Sequence, residues 1–226
     1  MAILALCYMA TRPLAIGDPV AHAEAILAFE RTAGLHIEPH LQAWSSNRPW
    51  LVGAMAWYYL PGHLVPFLGL LAWAAWRGGR HYAAFRQAAL LAIGAAFALF
   101  VLFPVAPPRL VPSSGLADVT HATTAPGLDG GLVGALANPF AAFPSEHVAW
   151  AVLIAWAVVR FFGRRWAPVA AAHVGATVFL VFALGHHYVV DVAAGAGIGT
   201  LGAWAGERVL RREAAGPARE AAAQPF

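Results

Sequence analysis

Apolar residues run along this chain in long blocks, without the strict alternation of a half-buried strand. Five blocks come near the roughly 20 apolar residues that cross a bilayer: 50–76, 87–104, 145–162, 167–184 and 188–207. They predict an all-α, multi-pass membrane helical bundle of about five full spans, folded as one membrane domain over 1–226. Residues 1–10 are apolar but too short to span and lack a basic start, so they read as a short or truncated N-terminal segment. The first long block contains Pro61 and Pro66, which predict a kink or a tilt. Trp50, Trp57, Tyr58 and Tyr59 at one end of it, with Trp73 and Trp76 at the other, form the pattern of interfacial belts. Tyr58, Tyr59 and His63 cluster at its outer end, where they either touch substrate or serve as belt residues.

Polar residues interrupt the pattern in two places. Residues 21–33 have an amphipathic pattern, with Ile26, Leu27 and Phe29 among Glu24, Glu30 and Arg31; the helix either lies on the membrane surface or serves as a plain connector. Residues 105–144 form a loop rich in Pro and Gly, either a lid or gate for lipid access or an irregular connection.

Composition agrees with the membrane reading. The 226 residues are 60% hydrophobic and only 11% charged, where a soluble domain carries about 25% charged residues. All 14 basic residues are arginine, and Cys7, the single cysteine, excludes an intrachain disulfide and a cysteine-based zinc site. A pI of 9.5 would suit a nucleic-acid partner, but topology accounts for it better. If the five spans alternate, Arg77, Arg80, Arg86, Arg160, Arg164, Arg165, Arg208, Arg211, Arg212 and Arg219 share one side, and Arg12, Arg31, Arg48 and Arg109 fall on the other. The arginine-rich side is then cytoplasmic, with residues 208–226 as its tail and 105–144 external.

That topology places two polar motifs on the same outer face. Phe143-Pro144-Ser145-Glu146-His147 and Gly185-His186-His187-Tyr188-Val189-Val190-Asp191 each open an apolar block. Ionisable groups at such positions are costly and mark function. His187 and Asp191 are four apart, so on a helix they share a face and the carboxylate can orient the imidazole. His147 lies at a helix start, where backbone N–H groups favour an anion. Pro144 and Glu146 suit positions N1 and N3 of that helix, so Glu146 has a structural reading too. Arg109 just beyond its span either snorkels or clamps a phosphate, and His186 is either a second phosphate donor or an interface residue. Together these groups point to phosphoryl chemistry without a metal or other cofactor. Gly195 and Gly199, inside the last block, have the spacing of close helix packing.

At these motifs the chain resembles the type-2 phosphatidic acid phosphatase superfamily, and most closely its inositol phosphorylceramide synthase-like branch. The matching residues are Pro107-Pro108-Arg109, Phe143-Pro144-Ser145-Glu146-His147 and His187-Tyr188-Val189-Val190-Asp191, within a catalytic core of about 87–207. The resemblance implies that His187 is a nucleophile forming a phosphohistidine, held by Asp191. It implies that His147 protonates the leaving oxygen and later deprotonates the acceptor, while Arg109 and Ser145 hold phosphoryl oxygens. The implied substrate is a membrane lipid at the outer face, with water or a polyol such as inositol as acceptor. Leu102, Leu180 and Val181 stand where the superfamily's motifs carry lysine, serine and arginine, and Glu146 stands where glycine is common. A simple lipid phosphatase, an inactive scaffold and a metal or haem protein using His121, His147, His186 and His187 are the competing expectations.

Overall fold

The computed structural model describes residues 2–119 and 138–222. Residues 120–137 of the expected lid, His121 among them, therefore lie outside the described residues. Within them the chain is helical: α1 Ala2–Thr11, α2 Pro19–Thr32, α3 Glu38–Ser46, α4 Pro49–Tyr59, α5 Pro61–Arg77, α6 Gly79–Leu102, α7 Glu146–Phe162, α8 Ala167–Ala183 and α9 Val189–Ala222. A single isolated bridge, Val105 to Ala141, is the extent of β pairing among the described residues.

Three helical stretches are long and apolar enough to cross a membrane: Gly79–Leu102, Arg164–Ala183 and Val189–Arg212. The expectation of five full spans is not met on this measure. Helices α5 and α7 have 17 residues each, about 25 Å at 1.5 Å per residue against a hydrocarbon core of about 30 Å. The first block is divided because Pro61 cannot donate the N–H that would continue α4. Pro66, by contrast, lies within α5. Helix α6 begins at Gly79, ahead of the block expected at 87–104, so it takes in Arg80 and Arg86, and α9 continues as helix through much of the expected tail.

The core joins α5, α6, α7 and α9 through Phe67, Leu70, Phe85, Ala88, Ala92, Leu153, Ile154 and Ile198. Helix α9 packs most extensively on α6 and then on α7, and a glycine stripe makes this approach possible. A methyl group at Gly195 would lie 2.2 Å from the Ser145 carbonyl oxygen, and one at Gly199 would lie 2.7 Å from that of Ala149. The same holds against α6, where a methyl at Gly202 would sit 2.7 Å from the Ala88 oxygen. The expected close packing at Gly195 and Gly199 is present.

The two ends of the bundle differ in chemistry. At one end Trp73 stacks by His81, Phe161 and Phe162, and Arg160 Nε pairs with Glu207 at 2.9 Å. The other end carries both polar motifs. Helix α2 covers this end: its buried face, Ala23, Ile26, Leu27 and Glu30, packs by Val105, Ala106, Val111, Ala142 and Tyr188. Asp18 caps it, accepting from the Val20 and Ala21 amides. Glu30, which the amphipathic pattern placed among polar positions, is thus on the buried side.

Candidate active site

Two helix starts and one helix end build the site. Ser145 is the N-cap of α7, its Oγ accepting from the Val148 amide at 3.4 Å. Glu146 is therefore the first helical residue and Pro144 precedes the cap, which moves both from the N3 and N1 positions expected of them. The Ser145 amide donates to the Asp191 carbonyl at 3.0 Å, locking the start of α7 to the first turn of α9. The turn between α8 and α9 carries His186 and His187.

His187 Nδ1 donates to the Ala142 carbonyl at 2.8 Å and lies 3.5 Å from Asp191 Oδ2. A carbonyl only accepts, so the proton is on Nδ1 and the lone pair of the neutral ring is on Nε2. The shorter partner of His187 is therefore a backbone carbonyl, with the carboxylate behind it. Asp191 Oδ2 accepts from the Tyr188 amide at 2.9 Å, the reach-back of a capping box. Asp191 is fully buried, and its Oδ1 has no hydrogen-bond partner among the described residues.

The ring of His147 lies 5.7 Å from that of His187, centroid to centroid. It also lies 4.3 Å from Tyr59 and 5.0 Å from His63. Of the two readings of Tyr59 and His63, belt or substrate contact, their burial against the site departs from the belt. The break before Pro61 puts them there. His63 Nδ1 donates to the Tyr59 carbonyl at 2.7 Å, and its Nε2 lies 3.0 Å from the Thr177 hydroxyl. A histidine and a tyrosine four apart across a proline were the available signal for this pair.

Arg109, in a 3-10 turn over Pro108–Leu110, is nearly buried. Its amide donates to the Gly185 carbonyl at 3.0 Å, its Nε to Asp118 at 3.1 Å, and its Nη1 to His186 Nδ1 at 2.6 Å. Asp118, which the sequence patterns did not single out, thus orients the guanidinium. Arginine can only donate, so His186 Nδ1 accepts and its proton is on Nε2. That Nε2 is a buried donor with no acceptor among the described residues. Burial, then the positive charge of Arg109, holds His186 well below the ordinary histidine range, so the ring is neutral. Tyr59 stacks on it at 4.4 Å. The chain of contacts Arg109–His186–Tyr59–His147–His187 brings all the expected site residues together, with Ser145 and Asp191 at its base.

No curated protein and no solved structure matches the chain. The family model described as the PAP2 superfamily, however, matches residues 24–205. That match takes in all three motifs and every side chain of the cluster just described. With helices able to span a bilayer beside it, the chain is a membrane protein belonging to the PAP2 superfamily.

Proposed function

We propose that this protein is a lipid phosphatase or phosphotransferase that works through a phosphohistidine on His187. The observation that carries the reading is the bond from His187 Nδ1 to the Ala142 carbonyl, which reserves Nε2 for attack. In the first step Nε2 bonds to phosphorus, the phosphorus–oxygen bond to the lipid alcohol breaks, and His147 gives that oxygen a proton. In the second, His147 takes a proton from water or an alcohol as its oxygen attacks phosphorus and releases His187. Asp191 stabilises the positive ring that attack creates. The Arg109 guanidinium and the His186 Nε2–H supply donors to the phosphoryl oxygens. Superfamily membership supports this chemistry.

The finer parts rest on sequence. The synthase-like motif spacing supports a polyol acceptor in competition with water, and the arginine distribution supports an outward-facing site in the cell membrane. The test is to incubate the purified protein with phosphate- and headgroup-labelled lipids, with and without polyols, and to trap an acid-labile, base-stable phosphoryl adduct. Wild type should yield the adduct and His187→Ala should not. His147→Ala should still form some adduct with a donor whose leaving group needs little protonation. An adduct undiminished in His187→Ala ends the assignment.

A further inference from the structure

A second set of ionisable side chains, outside the histidine cluster, meets the start of α9. Glu30 comes from the buried face of α2, Glu38 is the first residue of α3, and His36 lies in the turn between them. Both carboxylates are 0% exposed, and the His36 side chain is 16% exposed. Their facing atoms all lie within 4.8 Å of one another.

Each of the three has already committed one polar atom. Glu30 Oε1 accepts from the Val190 amide at 2.7 Å, and Glu38 Oε1 accepts from the Val189 amide at 3.0 Å. His36 Nε2 lies 3.2 Å from the Ser114 carbonyl, which can only accept, so a proton is on Nε2, and in the neutral ring Nδ1 holds a lone pair. What remains is Glu30 Oε2, Glu38 Oε2 and His36 Nδ1, all buried and without a hydrogen-bond partner among the described residues. Three lone-pair atoms facing one another in a dry site repel unless something positive lies between them. His36 Nδ1 and Glu38 Oε2 are only 3.2 Å apart. Two protons, one on His36 Nδ1 and one shared by the carboxylates, would satisfy the three atoms, and so would a single metal ion.

We propose that Glu30, His36 and Glu38 form a binding site for a divalent cation of the Zn²⁺ or Mn²⁺ class. An imidazole beside two carboxylates suits those ions, while Mg²⁺ and Ca²⁺ favour all-oxygen shells. Two carboxylates neutralise the ion's charge. The His36 Nε2–H bond to a carbonyl is the outer contact that fixes the tautomer of a metal-bound imidazole. The 3.2 Å separation suits two ligands on an ion bound at about 2.0–2.2 Å. The ion ties α2 and α3 to Val189 and Val190, two of the three residues between His187 and Asp191, so it is a positioning site and takes no part in bond making. The metal alternative read from the sequence placed an ion on His121, His147, His186 and His187 and not here, and this inference does not depend on the phosphohistidine reading.

The test uses the full chain purified in detergent, stripped with a chelator and dialysed against Zn²⁺ or Mn²⁺ alone, with bound metal measured by mass spectrometry. Wild type and His187→Ala should bind close to one ion per chain, while His36→Ala and Glu38→Gln should lose affinity by about tenfold or more. Bound Mn²⁺ should show coupling to a single imidazole nitrogen by pulsed electron spin resonance in the wild-type fold, which needs no variant to stay folded. Failure of the wild type to hold an ion would overturn the proposal in favour of a proton-shared pair. Binding that is lost in His187→Ala but kept in His36→Ala, or coupling to several imidazoles, would overturn it in favour of the histidine cluster.

Discussion

Substituting Gly195 by alanine tests whether the approach of α7 to α9 sets the catalytic geometry. The added methyl would lie 2.2 Å from the Ser145 carbonyl oxygen, where ordinary contact begins at 3.4 Å, so the backbones must part by about 3.4 − 2.2 = 1.2 Å. The atom it meets is backbone and cannot rotate aside. Ser145 also caps α7 and donates to the Asp191 carbonyl at 3.0 Å, so the same displacement stretches the link holding His147 beside His187. A misplacement of about 1 Å can cost roughly 100-fold in rate, and overpacking costs about 1–3 kcal/mol of stability. Gly197 is the matched control, with nothing within 4 Å of a methyl placed there; alanine should be neutral or mildly stabilising at that helical position. Lipid-phosphate turnover and thermal melting, both in detergent, read the two variants. Full turnover in Gly195→Ala, or an equal loss in Gly197→Ala, would refute the reasoning.

Three further outcomes are expected. Asp191→Asn keeps an oxygen for the Tyr188 amide but loses the charge near His187; melting should stay near wild type while turnover falls about 100-fold or more, and unchanged turnover would reduce Asp191 to a cap. Arg109→Ala should raise the apparent KM for lipid phosphate about tenfold to a hundredfold, the worth of hydrogen bonds to a charged group, with Asp118→Ala a smaller change in the same direction; a pure kcat effect would argue against phosphate binding. Cysteines placed at Ser113 and Gly163 in a Cys7-free background should react with an impermeant reagent from outside and inside the cell respectively, and the reverse pattern would invert the topology.

How far the sequence could be read differs from residue to residue. The meeting of the two motifs was legible because each opens an apolar helix on the same side of alternating spans. The number of full spans was not, because hydropathy does not register where Pro61 divides one block into two helices or that α7 stops after 17 residues. The choice between belt and site for Tyr59 and His63 stayed open for a related reason: their distance from the histidines depends on the angle at that break. Asp118 was hidden because its partner Arg109 is nine residues away across an irregular turn. Glu30 could have been found. Positions 23, 26, 27 and 30 form one helical stripe, and a carboxylate on the apolar stripe of an amphipathic helix is the anomaly worth pursuing.

The two helix starts also divide the electrostatic work in a way no motif expresses. At the start of α9 the amides of Tyr188, Val189 and Val190 already donate to Asp191, Glu38 and Glu30. Those are the donors that would otherwise receive an anion, so this helix start cannot be the phosphate cradle, and three carboxylates crowd it. At the start of α7 the cap is a neutral serine, and the amides of Glu146 and His147 have no intrahelical acceptor by the geometry of any helix. A phosphoryl group attacked by His187 is therefore best held toward α7, Arg109 and His186, away from the acidic side of its own nucleophile. A cation between Glu30 and Glu38 would sharpen this division, because it cancels the negative charge behind His187 without offering the substrate a ligand. The acidic side would then fix the nucleophile's backbone, and the basic side would bind what the nucleophile attacks.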